Sequence, residues 1–102
     1  MEVEAAIREA LQRRSPLALT YGGDGGVART VHPQIFFGDA AETLLLDCWQ
    51  LDGPSKSGEA LPSWRTFELV KIERVEPLDG EARRAPGFNL DAPKYATVLA
   101  HL

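Results

Sequence analysis

The chain has 102 residues, of which 44% are hydrophobic and 25% are charged, and its formal net charge is -4. This length predicts a single domain, residues 1–102, with one modest core, and the hydrophobic content is too high for a disordered chain. A protein that binds nucleic acid over its whole surface is usually basic, and this chain is acidic. An anionic ligand therefore requires a local basic site.

No stretch approaches the roughly 20 apolar residues of a transmembrane helix. The acidic first residues, 1–4, lack the basic and then apolar pattern of a secretory signal. We therefore expect a cytoplasmic protein that does not bind a membrane. The single cysteine, Cys48, excludes an internal disulfide and a cysteine-based zinc site. Its place inside a strand pattern predicts a small buried hydrophobic residue.

A helix is predicted over residues 2–14, because apolar residues recur three and four positions apart, the spacing of one helical face. Acidic residues at its start and arginines at its end suit the helix dipole. Pro16 is expected to end the helix, since it disfavours the α conformation at Ser15. The apolar positions of this face are Val3, Ala6, Ile7, Ala10 and Leu11.

Alternating apolar residues predict strands over residues 17–21, 27–37 and 43–51. The glycine-rich residues 22–26 are predicted to join the first two strands as a hairpin turn, since glycine adopts positive φ at no steric cost. A phosphate loop is excluded here because no GK[ST] ending and no helix follow the glycines. Pro33 interrupts the second strand and predicts an edge position, a bulge or a bend.

Residues 52–62 are rich in Gly, Pro and Ser and predict a surface loop. Residues 64–78 begin with strand alternation and continue with apolar residues three apart, which fits a strand, one turn of 3₁₀ helix and another strand. A loop over residues 79–89 and a short C-terminal helix over residues 91–102 complete the chain. The predicted order of one helix, five short strands and one helix is typical of a small barrel or a tightly bent sheet.

Several short patterns occur in a characteristic order: Ala6-Ile7 in the helix, a strand that ends at Tyr21, Arg-x-Val-x-Pro at residues 29–33, a small residue before an aromatic one in the strand of residues 44–49, and Arg-x-Phe-x-Leu-x-Lys-Ile-x-x-Val at residues 65–75. In this order the chain resembles the WYL domain family over about residues 5–78. The resemblance implies a mainly β fold, a small five-stranded SH3/Sm-like barrel. It also implies a ligand-sensing module of bacterial transcription regulation that binds nucleic acid or a nucleotide-like effector on a basic barrel face.

The polar residues at the matching positions are the candidate ligand-binding residues: Tyr21, Arg29, His32, Arg65 and Lys71. Two guanidinium groups that converge on a phosphate would form charge-assisted hydrogen bonds with it. Alternatively, Arg29 and Arg65 pair with Asp47 or Glu68 across neighbouring strands, and His32 has a structural role. The chain departs from the family at its naming tripeptide, Trp-Tyr-Leu, which is Leu-Leu-Leu at residues 44–46.

The sequence has no GxSxG, no HExxH and no Cys/His partner set. We therefore expect a binding module that is not an enzyme, with no catalytic residue, no metal and no cofactor. An alternative function is a protein-interaction or homo-oligomerisation module with no small ligand. In that alternative, the apolar stripe of the predicted C-terminal helix docks on a second protomer or on a partner protein.

Overall fold

The computed structural model describes residues 2–56 and 58–102 as a mainly β protein. Met1 and Ser57, which belong to the predicted N-terminal stretch and to the predicted surface loop, lie outside the described residues. The elements in chain order are α1 (Val3–Arg13), β1 (Leu17–Tyr21), β2 (Ala28–Gly38), β3 (Leu44–Asp52), β4 (Ser63–Glu68), a 3₁₀ turn (Leu69–Lys71), β5 (Ile72–Pro77) and β6 (Thr97–His101). Within the described part of the chain, no helix has the length and apolar character needed to cross a membrane.

The six strands form one antiparallel sheet in the order β4-β3-β2-β1-β5, and β6 pairs with β2. The long strand β2 changes partner along its length, because residues 28–31 pair with β1 and residues 35–38 pair with β6. Pro33 lies between these two pairings, a place that tolerates its missing N–H. The register with β3 also shifts between Pro33 and Ile35, which leaves Gln34 as the extra residue of a bulge. The bulge predicted at Pro33 is confirmed.

The strand, 3₁₀ turn and strand predicted over residues 64–78 are also confirmed. β4 ends at Glu68, the 3₁₀ turn covers Leu69–Lys71, and β5 begins at Ile72. β4 and β5 are the end strands of the main sheet order, and a three-residue turn spans only about 10 Å. The sheet therefore bends so that its two end strands approach each other, although no ladder joins β4 to β5 among the described residues.

The predicted C-terminal helix is wrong. Residues 97–101 form β6, which pairs antiparallel with residues 35–38 of β2. Tyr95 belongs to the apolar stripe of that predicted helix. In the structure its ring packs edge-on against Phe37, with the ring centroids 4.6 Å apart. A short helix is marginal in isolation, whereas the open side of β2 offers the segment a ladder of backbone hydrogen bonds and an apolar surface.

The core lies where α1 packs against one face of the sheet. Ile7, Ala10 and Leu11 are buried, which confirms the predicted apolar face of the helix. Cys48 is fully buried, so its prediction as a small core residue is also confirmed. The strand residues buried in the same cluster include Leu17, Leu19, Val31, Phe36, Leu46 and Phe67.

Candidate ligand-binding site

Arg29 lies in the interior of the protein, with its side chain only 5% exposed. Its Nε and Nη2 donate to the two carboxylate oxygens of Asp24, at 2.7 and 3.2 Å, and the Asp24 side chain is 0% exposed. The rings of Tyr21 and Phe67 lie 5.6 and 5.2 Å from the guanidinium carbon. The acidic partner of Arg29 is thus a residue of the β1–β2 hairpin turn, in place of the predicted Asp47 or Glu68.

Gln50 extends this network to the loop between β3 and β4. The buried Gln50 accepts a hydrogen bond from Arg29 Nη1 at 3.1 Å through its Oε1. Its Nε2 donates to the carbonyl oxygens of Asp52 and Pro54, at 3.2 and 2.8 Å. An amide side chain has one accepting end and one donating end, so it can join a cation to backbone carbonyls. Arg29 therefore holds the base of the β3–β4 loop through Gln50.

Arg65 lies on the end strand β4, beneath the β3–β4 loop, and its side chain is 10% exposed. Its Nη1 donates to Glu59 Oε1 at 2.8 Å, to Ser63 Oγ and to the Trp64 carbonyl at 2.9 Å. Its Nη2 donates to Ser55 Oγ. Its Nε is buried and has no hydrogen-bond partner within residues 2–56 and 58–102. The carboxylate that neutralises this cation belongs to Glu59, whose side chain is 65% exposed.

An open groove with two indole rings lies beside two of the residues that contact Arg65. Trp49 and Trp64 are directly opposite each other on β3 and β4, with ring centroids 5.9 Å apart and planes inclined at 74°. The groove has a volume of about 540 Å³ and is lined by these two rings together with Glu59, Ala60, Pro62 and Ser63. Arg65 is not itself part of this lining, but its guanidinium donates to Glu59 and Ser63, which are. The cation therefore lies directly behind these two residues of the groove wall.

The other predicted residues do not gather at this groove. Tyr21 packs edge-on against Phe67, and its hydroxyl accepts a hydrogen bond from the Glu68 backbone N–H at 3.0 Å. Lys71 lies on the exposed 3₁₀ turn and forms a 2.8 Å ion pair with Glu68. The hydrogen bond between the Lys71 and Glu68 side chains, together with the negative charge of Glu68, raises the pKa of Lys71. Of the two cations that the sequence predicts to converge, Arg65 is the one that contacts the groove lining among the described residues.

His32 lies directly opposite Trp49 in the β2–β3 register. Its Nδ1 accepts a hydrogen bond from the Arg83 backbone N–H at 3.3 Å. Burial, followed by the positive charge of Arg83, lowers the pKa of His32 from its ordinary value of 6.5. A neutral ring that accepts a backbone hydrogen bond matches the structural role that the sequence left open for this residue.

Asp47 is occupied by a second network and is not a partner of Arg29 or Arg65 in the described residues. The buried carboxylate accepts hydrogen bonds from Thr66 Oγ1 at 2.6 Å and from the Tyr95 hydroxyl at 2.7 Å, and it pairs with Lys94 Nζ at 2.8 Å. This network fastens the segment before β6 to the sheet.

The groove can provide three kinds of contact to a ligand. The guanidinium of Arg65, behind the groove wall, can bind an anionic group through charge-assisted hydrogen bonds, the hydroxyl of Ser63 can also donate, and the two indole rings can contact a planar ring. Within the described residues no group of three or more His, Cys, Asp or Glu side chains could hold a metal ion. Of the predicted site residues, Arg65 is the one that contacts the lining of this groove in the described part of the chain.

Sequence reasoning missed the loop residues at Arg65 and the groove. Ser55, Glu59 and Ser63 come from the loop and from the first residue of β4, where no periodic pattern indicates a spatial neighbour. Trp49 and Trp64 are visible in the sequence as aromatic residues on neighbouring predicted strands. Their alignment follows from the β3–β4 register, which alternation alone does not define.

Comparison with known proteins finds no matching family model, no similar curated protein and no similar solved structure.

Proposed function

We propose that the protein is a binding module for a small anionic molecule that carries a planar ring, such as a nucleotide, and that this ligand binds in the Trp49–Trp64 groove. The observation that carries the proposal is the position of Arg65. Its largely buried guanidinium lies behind the wall of an open groove with two indole rings, and its carboxylate partner, Glu59, lines that groove and is mostly exposed.

The residue types of the groove match the two parts of a nucleotide. A guanidinium forms charge-assisted hydrogen bonds with phosphate as it does with a carboxylate, and Nη1 of Arg65 already donates to the Glu59 carboxylate at 2.8 Å. Contact between a base and an aromatic side chain contributes about 1–3 kcal/mol per base and tolerates any base, since every base has a π-face. Arg65 is assigned to the phosphate, and Trp49 and Trp64 are assigned to the base.

The charge of the whole protein favours a small ligand over a long nucleic acid. A net charge of -4 repels a polyanion, and tight binding to a phosphate backbone requires several lysines or arginines along its path. Arg29 and Lys71, the other cations of the predicted face, are each paired with a carboxylate, Asp24 and Glu68. Arg65 is also paired, but its partner Glu59 lines the groove and is mostly exposed. A single cation behind a groove with two rings suits a mononucleotide.

The strand order and the 3₁₀ turn between β4 and β5 support the finer assignment of the chain as a small SH3/Sm-like barrel. Together with the resemblance to the WYL family, this assignment supports the proposal that the protein is a divergent WYL-like sensor that acts in bacterial transcription regulation.

The oligomerisation alternative is based on the negative net charge and on the leucines at residues 44–46, with a C-terminal helix as the docking surface. That segment forms β6 within the sheet, so the alternative needs another docking surface.

The proposal is tested by titration with adenosine 5′-monophosphate at low salt while the fluorescence of Trp49 and Trp64 is recorded. We expect saturable quenching in the wild type and its loss in Arg65→Gln, with Arg13→Gln as the matched control because Arg13 lies on α1 with an exposed partner, Glu9. Urea unfolding confirms that each variant is folded.

Adenosine and inorganic phosphate should each bind more weakly than the nucleotide, because each carries one of the two recognised parts. A short single-stranded oligonucleotide should show no advantage over the mononucleotide. Absence of quenching by the nucleotide, or equal affinity in folded Arg65→Gln, contradicts the proposal.

A further inference from the structure

We infer that this site inhibits itself: the carboxylate of Glu59 occupies the place on Arg65 that the anionic group of the ligand takes, so Glu59 must leave before the ligand binds. The inference rests on the proposed function, because it concerns the regulation of the same groove.

The geometry at Arg65 places Glu59 on the solvent side of the guanidinium. The Arg65 side chain is only 10% exposed, and its guanidinium also donates to Ser63 Oγ, to Ser55 Oγ and to the Trp64 carbonyl. The Glu59 side chain is much more exposed than Arg65, lines the groove and accepts from Nη1 at 2.8 Å. A carboxylate and a phosphate are alternative acceptors for one guanidinium, so an incoming anion must compete with Glu59.

The exchange moves a side chain that is already mostly exposed. The base of the β3–β4 loop is fixed where Gln50 donates to the Pro54 carbonyl, and this bond does not involve Glu59. Water can solvate the carboxylate of Glu59 once it leaves Arg65. A buried guanidinium is costly without a partner, so Arg65 exchanges one anion for another and is never left unpaired.

The exchange gives the site selectivity. A small anion without a ring offers Arg65 the same contact as Glu59 and lacks the advantage of being tethered in place. A ligand that also contacts Trp49 and Trp64 gains a second interaction and displaces Glu59. Self-inhibition therefore favours anions that carry a planar ring over phosphate or acetate.

The test uses Glu59→Gln, which removes the charge and nearly preserves the shape of the side chain, in the adenosine 5′-monophosphate titration. The matched control is Glu9→Gln: Glu9 pairs with Arg13 at 3.1 Å, is 61% exposed and gives the same change in net charge. We expect Glu59→Gln to bind the nucleotide about fivefold to tenfold more tightly than the wild type, which corresponds to occupation of Arg65 by Glu59 for roughly 80–90% of the time. Glu9→Gln should match the wild type.

A third variant, Glu59→Asp, separates occupation from a general effect of local charge. It keeps the negative charge but draws the carboxylate back by one methylene group, so we expect an affinity between those of the wild type and Glu59→Gln. Self-inhibition is overturned if Glu59→Asp binds the nucleotide with wild-type affinity, or if Glu59→Gln and Glu9→Gln bind it equally well. In either case, binding that depends on Arg65 still supports the proposed function. No binding by the wild type or by any of these variants overturns both.

Discussion

Replacement of Arg29 by methionine should destabilise the protein far more than replacement of an exposed arginine. The side chain of Arg29 is almost fully buried, and both carboxylate oxygens of the equally buried Asp24 accept hydrogen bonds from it. Methionine preserves much of the apolar contact with Tyr21 and Phe67 but donates no hydrogen bond. The variant therefore leaves a carboxylate in the interior without its cation and removes the donor to Gln50 Oε1.

The expected magnitude follows from these lost contacts. Removal of one partner from a buried ion pair costs about 3–5 kcal/mol, because the remaining charge is uncompensated. Loss of the donor to Gln50 adds about 1 kcal/mol. A small domain has a total free energy of unfolding of about 5–15 kcal/mol, so Arg29→Met should be folded only marginally.

Urea unfolding, followed by the fluorescence of Trp49 and Trp64, measures this loss. With a denaturant dependence of about 2 kcal/mol per molar urea, a loss of about 4 kcal/mol lowers the midpoint by about 2 M. The matched control is Arg13→Met. Arg13 is 73% exposed and pairs with Glu9 on the surface of α1, so its replacement should cost about 0.5 kcal/mol or less.

The double variant Asp24→Asn/Arg29→Met decides whether the buried charge is the cause. It removes the carboxylate charge as well, so it should be more stable than Arg29→Met and much more stable than the sum of the two single losses predicts. A loss below about 1 kcal/mol in Arg29→Met, or strictly additive losses in the double variant, would refute the reasoning, since the two residues would then act independently.

Three further predictions concern single side chains. Burial, followed by the charge of Asp47, raises the pKa of the Cys48 thiol, so a disulfide reagent at mildly alkaline pH should leave it unmodified in the folded protein and modify it in urea; reaction of the folded protein would contradict this. Tyr95→Phe removes a hydrogen bond to the buried Asp47 and should cost about 1–2 kcal/mol. Burial and that hydrogen bond raise the pKa of Tyr95 above its ordinary value of 10, so the tyrosine loses its proton in the unfolded chain before it does in the folded protein. The difference in free energy of unfolding between the wild type and Tyr95→Phe should therefore shrink above about pH 10, the ordinary pKa of tyrosine. A difference that stays constant in urea titrations across this range would contradict the prediction. The pKa of His32 is lowered from 6.5, so as pH falls the histidine binds a proton in the unfolded chain before it does in the folded protein. The free energy of unfolding should therefore fall as pH falls below 6.5, and it should fall less steeply in His32→Gln. Equal dependence on pH in the two proteins would exclude a contribution from His32.

Where a prediction depended only on neighbours in the chain, the sequence was sufficient. The apolar face of α1, the alternation of β1 and the change from a period of two to a period of three at Leu69 each follow from residues a few positions apart. The bulge at Pro33 was predictable for the same reason, because proline carries its constraint on the ladder in its own covalent structure.

The C-terminal segment shows where this local information ends. Tyr95, Val98, Leu99 and Leu102 have a spacing that fits a helix, but the β-branched Thr97 and Val98 and the short apolar run of residues 98–100 also suit a strand. The choice depended on the open side of β2 at residues 35–38, some 60 positions away. A helix gains hydrogen bonds only within itself, whereas β6 gains a ladder and burial against Phe36 and Phe37.

The sequence by itself therefore determined the secondary structure of residues 2–78 and the burial of Cys48, and it singled out Arg29 and Arg65 as candidate ligand contacts. Only the tertiary structure decided what those arginines do. The hairpin turn carries Asp24 to Arg29 and closes that cation inside the protein, whereas the β3–β4 loop carries Ser55 and Glu59 to Arg65. An ion pair depends on distance and burial in three dimensions. Arg29 therefore stabilises the interior through its pair with Asp24, and Arg65 is the proposed ligand contact.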